Sequence, residues 1–142
     1  MNKLLTPILI LVSFSLPGQV QLTWQEILET QYKVITEGNN EGLYTPTFSD
    51  DLKKLEGEVV LIAGYLVPMD ISNDTYALSM SPFSSCFFCG NAGPNTVIEL
   101  QFEEKQSKFM VDQFVMIKGV LRLNRFNPKR LFFTLENAQM HG

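Results

Sequence analysis

The sequence predicts a mainly β (α+β) domain: a small five-stranded barrel preceded by an amphipathic helix. Three observations lead there. From Glu58 onward the chain carries five short runs rich in β-branched and aromatic residues, separated by turn formers. Two of those runs are broken by one glycine each, Gly64 and Gly119, as strands are where they bend sharply or bulge. Ahead of them, Thr23-Trp24-Gln25-Glu26 has the form of a capping box that starts a helix.

Residues 1–21 read as a secretory signal peptide. Lys3 precedes an apolar run from Leu4 to Leu16, interrupted only by Thr6, Pro7, Ser13 and Ser15, and Leu16-Pro17-Gly18-Gln19 follows as a turn. That run is 13 residues long, against roughly 20 for a helix that crosses a bilayer. Cleavage is expected near Gly18, with a retained membrane anchor as the alternative. No cysteine stands near that point to carry a lipid. The expected location is periplasmic or secreted, with membrane contact only through the signal peptide.

Residues 22–56 are expected to hold the helix and its connecting loop. The Thr23 hydroxyl can accept from the Glu26 amide while the Glu26 carboxylate reaches back, and Leu22 and Ile27 occupy the positions of a hydrophobic staple. Trp24, Ile27, Leu28 and Ile35 recur near helical spacing, and Gly38 is a natural stop. Residues 39–48 read as loop. Ser49 then caps a short turn of helix, Asp50 to Leu55, which Gly57 ends.

Residues 57–142 supply the barrel. The first strand is Val59 to Val67, apolar on both faces. Thr75 to Met80 is the second and Thr96 to Phe102 the third. The fourth, Phe114 to Leu123, puts Val115, Ile117, Leu121 and Leu123 on one face, and the fifth, Leu131 to Glu136, groups Leu131, Phe133 and Leu135. Five strands with two bend glycines suit an OB-like barrel better than a sandwich of seven or more.

Composition narrows the function. The chain of 142 residues is one domain in length, and 45% apolar against 18% charged residues places it far from disordered sequences. A net charge of −4 argues against generalised attraction to nucleic acid, so no nucleic-acid partner is expected. One His and two Cys exclude a multi-His active site, a self-contained four-cysteine zinc site and a network of disulfides. There is no Gly-x-Ser-x-Gly and no phosphate-binding glycine loop; Asp50-Asp51 and Glu103-Glu104 read as a helix first turn and a solvated turn.

Chemistry concentrates in the loop from Pro82 to Asn95, which holds Cys86-Phe87-Phe88-Cys89. The Cys-x-x-Cys spacing lets both sulfurs meet each other or one metal ion. Three readings stay open. A structural disulfide suits an oxidising compartment, although so short a ring constrains little of the unfolded chain. A metal site for zinc or copper needs further ligands, for which His141, Met80 or a partner protein are the candidates. A redox pair would want a helix after the first cysteine, where this chain has Gly90, Gly93 and Pro94. Phe83, Phe87 and Phe88 flank the sulfurs, to shield them or to face a partner.

A second candidate surface is the basic terminal hairpin. From Lys118 onward there are five basic residues and one acid. Arg125, Phe126, Lys129 and Arg130 would line one wall of an OB-type groove and accept an anionic ligand. The alternative is a solvated hairpin tip turned by Asn127-Pro128. His141, next to the end, reads first as a frayed terminal residue.

Leu55 to Pro68, with Gly57, Val60, Ile62, Gly64 and Tyr65 at their positions, then Cys86 to Asn95, then Ile117-Lys118-Gly119-Val120-Leu121, resemble a bacterial family of exported OB-like domains of unknown function with a Cys-containing, Pro-rich loop. The resemblance covers about residues 50–138. It implies an OB-like fold outside the cytoplasm, a role in envelope transport or metal handling, and an envelope protein or transport component as partner. Many members place a His just after the Cys, which implies metal ligation. This chain has Phe87-Phe88-Cys89 there, so Cys89 takes over that role or the loop has lost it. The expectation is therefore an exported, non-enzymatic binding or assembly factor working through Cys86 and Cys89. The alternatives are a thiol–disulfide oxidoreductase using the same pair and a groove binder of anionic ligands.

Overall fold

The computed structural model describes residues 10, 18–70, 73, 75–82, 93–106 and 111–141. Its N-terminal part begins with β1 (Val20–Gln21) and α1 (Trp24–Leu28), continues through β2 (Gln31–Val34) and β3 (Tyr44–Thr47), and ends in α2 (Asp50–Leu55). The barrel follows: β4 (Val59–Asp70), β5 (Thr75–Ser79), β6 (Val97–Phe102), β7 (Phe114–Leu123) and β8 (Phe133–Met140).

The capping box forms as its residues dictate. The Glu26 amide donates to the Thr23 hydroxyl at 3.3 Å and the Thr23 amide donates to the Glu26 carboxylate at 2.8 Å. The helix it starts is short, however. The expected continuation to Gly38 is replaced by a hairpin: β2 pairs antiparallel with β3, from Gln31 opposite Thr47 to Val34 opposite Tyr44. The reason lies in Tyr32, Val34, Ile35 and Thr36, which are aromatic or β-branched and lose side-chain freedom in a helix. Pairing lets them extend, and Gly38 and Gly42, both at φ +84°, turn the chain back. Ser49 caps α2 by accepting from the Leu52 amide at 3.2 Å, and Gly57 ends it at φ +85°.

The strands close into a five-stranded mixed barrel. Neighbours run β4-β5-β6-β8-β7, and β7 returns to β4. Every pairing within the barrel is antiparallel except β6 with β8. Closure depends on β4, which is 12 residues long and serves two neighbours. Its first half pairs with β7 from Val59 to Tyr65, and its second half pairs with β5 from Tyr65 to Asp70. Gly64 stands where the partner changes. A β-carbon there would lie 2.7 Å from the Ser79 carbonyl oxygen and 2.9 Å from the Leu78 side chain, so only glycine lets the strands approach.

The second bend is made jointly by β7 and β8. The β7–β8 register slips between Lys118 and Val120, and the β6–β8 register slips between Leu100 and Phe102. Both slips face the same stretch of β8, where Asn137 adopts φ +51°. This is a bulge with an asparagine in the left-handed conformation that asparagine tolerates better than most residues. The fifth strand therefore starts later than expected, at Phe133, and runs on to Met140. Leu131 stays in the preceding turn because its carbonyl accepts from the Asn124 amide at 3.1 Å.

Alternation decides what fills the barrel. Val115, Ile117, Leu121 and Leu123 of β7 face inward, as do Val60, Ile62 and Leu66 of β4 and Phe133, Leu135 and Ala138 of β8. The N-terminal elements add Leu22, Ile27, Phe48 and Leu52 to the same core. β1 runs parallel to β4, Val20 opposite Val60, and the Trp24 indole donates to the Ala63 carbonyl at 2.7 Å. Leu22 and Ile27 are 1% and 0% exposed; truncating either would cost about 2–5 kcal/mol.

Candidate functional site

Cys86, Cys89, Phe83, Phe87 and Phe88 lie outside the described residues, so the site is built from the two feet of the loop that carries them. The leading foot leaves β5 at Ser79, whose hydroxyl donates to the Ser81 carbonyl at 2.7 Å and accepts from the Ser81 amide. The returning foot begins at Gly93 and passes through one 3-10 turn, Pro94–Thr96, into β6. Proline opens that turn with its φ already set and no amide left over. The Met80 amide donates to the Thr96 carbonyl at 3.0 Å and ties the feet together.

The returning foot is also locked from below. The Thr96 hydroxyl donates to the Gly93 carbonyl at 2.7 Å. The Asn95 side-chain amide donates to the Thr30 carbonyl at 3.2 Å and lies 3.4 Å from the Leu28 carbonyl, where α1 passes into β2. Gly93 itself is extended, at φ −76°, so left-handed geometry does not explain it. Proximity does: a β-carbon at Gly93 would stand 2.5 Å from the Tyr32 hydroxyl.

Tyr32 carries the arrangement further. Its ring meets Tyr44 edge-on at 5.3 Å between centroids and Phe132 at 6.0 Å. One aromatic side chain thus touches the foot of the cysteine loop, the opposite strand of its hairpin and the residue just before β8. Beside it opens a cleft of about 240 Å³ between the β2–β3 hairpin and the β7–β8 turn, with Tyr44, Pro46 and Asn40 on one wall and Arg125, Phe126 and Phe132 on the other.

The β7–β8 turn is held by two asparagines. The Asn124 amide donates to the Asn127 and Leu131 carbonyls, its oxygen accepts from the Asn127 amide, and the Asn127 oxygen accepts from the Lys129 amide. The basic residues of this turn are largely engaged within the molecule. Arg125 pairs with Glu56 at 2.8 Å and its guanidinium lies 5.7 Å from the centre of the Phe48 ring. Arg130 pairs with Glu99 at 2.8 Å. Lys129 forms no ion pair among the described residues. The groove wall expected to be cationic is therefore close to neutral. Phe126 stands at its tip, 92% exposed.

Met80 and His141 were the candidates for extra ligands. Met80 is half-buried at the leading foot, beside the loop. His141 is exposed just past β8, its amide donating to the Met116 carbonyl at 2.8 Å. Among the described residues, no three His, Cys, Asp or Glu side chains come together as a metal site would require.

No family model matches this chain, and no curated protein or solved structure does either. Function must therefore be argued from the residues themselves. Tyr32, Tyr44 and Asn95 are the ones that sequence reasoning missed. The signal for the first two was present, in the extended character of residues 31–36 and the Asn39-to-Gly42 turn, but helical spacing was given precedence. Asn95 carried no local signal, since its partners lie on the far side of the chain.

Proposed function

We propose that this chain is an exported, non-enzymatic binding module built on an OB-like barrel, whose working end is the Cys86/Cys89 loop together with the aromatic hairpin beneath it. The OB-like assignment is supported by the strand order β4-β5-β6-β8-β7, by one parallel contact between β6 and β8, and by the first barrel strand serving two neighbours. Export rests on the leader-like residues 1–21. The observation that carries the functional reading is Tyr32, packed at once against Gly93 at the loop foot and Phe132 beside the cleft. Both feet of the loop are hydrogen-bonded and packed, so they need no ordering when a partner binds.

Two thiolates supply half of a tetrahedral zinc site. A metal at Cys86 and Cys89 would be completed by a ligand outside that pair, and Met80 is the described side chain placed beside the loop. The test is a thiol titration of protein purified from the periplasm, with metal analysis on the same sample. Two free thiols with about one equivalent of zinc or copper support a metal-binding role. A disulfide with a potential far below roughly −300 mV marks a structural staple, and one between roughly −120 and −270 mV marks an oxidoreductase and overturns the non-enzymatic reading.

A further inference from the structure

The cleft between the β2–β3 hairpin and the β7–β8 turn has a chemistry of its own. We infer that it binds a neutral carbohydrate, with one sugar ring stacked on Phe126 and its hydroxyls bonded to Asn40 and Tyr44. The inference goes beyond the function proposed above.

Three features select that ligand class. The first is Phe126, which is 92% exposed on a turn fixed by the Asn124 and Asn127 side chains. An aromatic ring presented to water on a turn of fixed backbone leaves only its own side-chain rotation to be ordered when a flat apolar face covers it. The second is charge. The guanidinium in the cleft wall, Arg125, is already paired with Glu56 at 2.8 Å. An anionic ligand would have to compete with that carboxylate, whereas a neutral one leaves the pair intact.

The third is the kind of polar atom the cleft offers. Asn40 and Tyr44 line the cleft, and neither the Asn40 side-chain amide nor the Tyr44 hydroxyl makes a hydrogen bond among the described residues. Together they both donate and accept. A sugar hydroxyl also does both. A proline-rich peptide, the other ligand that aromatic grooves favour, supplies mainly carbonyl acceptors and few N–H donors, and so matches the Asn40 oxygen less well than a sugar hydroxyl does. Size agrees as well: about 240 Å³ is below the ~300 Å³ at which drug-sized pockets begin, so one ring fits and the rest of an oligosaccharide would lie along the surface.

The experiment is an NMR amide-shift titration of the purified full chain with maltotriose, cellotriose and chitotriose in turn. Decaproline and a heparin tetrasaccharide serve as comparators. At least one neutral trisaccharide should give saturable shifts at residues 40–46 and 124–128, with a Kd on the order of 1 mM. Addition of about 0.5 M NaCl should leave that affinity unchanged. Phe126→Ala should weaken it by about tenfold or more. That variant keeps the fold, because the ring it removes is exposed. Phe126→Ala should leave the thiol titration and metal content of Cys86 and Cys89 as they are in the parent chain, so failure here and failure of the loop reading are told apart. The proposal is overturned if none of the three sugars shifts those amides. It is equally overturned if only decaproline binds, or if only heparin binds and salt removes it.

Discussion

Tyr32 fills the space that a side chain at Gly93 would need: a β-carbon there would lie 2.5 Å from the Tyr32 hydroxyl and 3.2 Å from its ring carbon. That fit joins the N-terminal hairpin to the foot of the cysteine loop. It makes the hairpin, whose two strands the sequence presents as helix and loop, part of the loop's support.

Gly93→Ala should destabilise the protein by about 1–3 kcal/mol, the usual cost of overpacking. Tyr32→Phe removes the hydroxyl at the point of conflict, so the double variant should lose less than the sum of the two single changes. Urea denaturation of all four proteins closes that cycle. Strict additivity would show that the two residues do not share a contact.

The two bend glycines should respond unequally. At Gly64 an added methyl meets the backbone oxygen of Ser79 at 2.7 Å, whereas at Gly119 the nearest atom is the Leu135 β-carbon at 3.0 Å. Both sites also meet backbone, since the Glu136 carbonyl oxygen lies 3.1 Å from a β-carbon at Gly119; the difference rests on the shorter contacts at Gly64, in a closed barrel that yields little. Gly64→Ala should therefore cost more than Gly119→Ala, by about 1 kcal/mol or more, measured as the difference in urea midpoints at unchanged m-value. Equal midpoints would mean that β4 does not bend where the register places it.

Asn137 tests the bulge. At φ +51°, Asn137→Gly should be neutral or slightly stabilising, while Asn137→Val should destabilise by about 1–2 kcal/mol. Thermal unfolding of both variants reads the sign directly. A stabilising valine would place this residue in ordinary extended strand.

The ion pairs of the terminal hairpin hide its basic character. Replacing Glu56 and Glu99 by glutamine releases Arg125 and Arg130 from their 2.8 Å partners. The double variant should be retained on a heparin column to clearly higher salt than the parent chain, with only a modest loss of stability, since both pairs are half-buried at the surface and surface pairs contribute about 1 kcal/mol or less. Equal retention would show that neither guanidinium is held by its carboxylate in solution.

The barrel was largely readable because its strands alternate. β7 runs from Phe114 to Leu123, as Val115, Ile117, Leu121 and Leu123 indicate. Both bend glycines sit at changes of pairing. The hairpin was misread because Trp24, Ile27, Leu28 and Ile35 satisfy helical spacing by coincidence. Ile27 does face the core from a helix, but Ile35 belongs to a different element. Nothing local marks Asn137, because a bulge is a relation between three strands. The cysteine motif was legible at once, and its setting was not: the Asn95–Thr30 and Tyr32–Gly93 contacts join segments far apart in the chain, which periodicity cannot register.

In the function proposed above, the cysteine loop and the aromatic hairpin work as one unit. Amide hydrogen exchange on the purified chain and on its Cys86→Ser, Cys89→Ser variant is the test. Loss of the native cysteine chemistry should raise exchange in residues 30–34, 44–47 and 93–96 while leaving the core of β7 and β8 protected. Unchanged exchange in the hairpin, with any effect confined to the loop itself, would contradict the account.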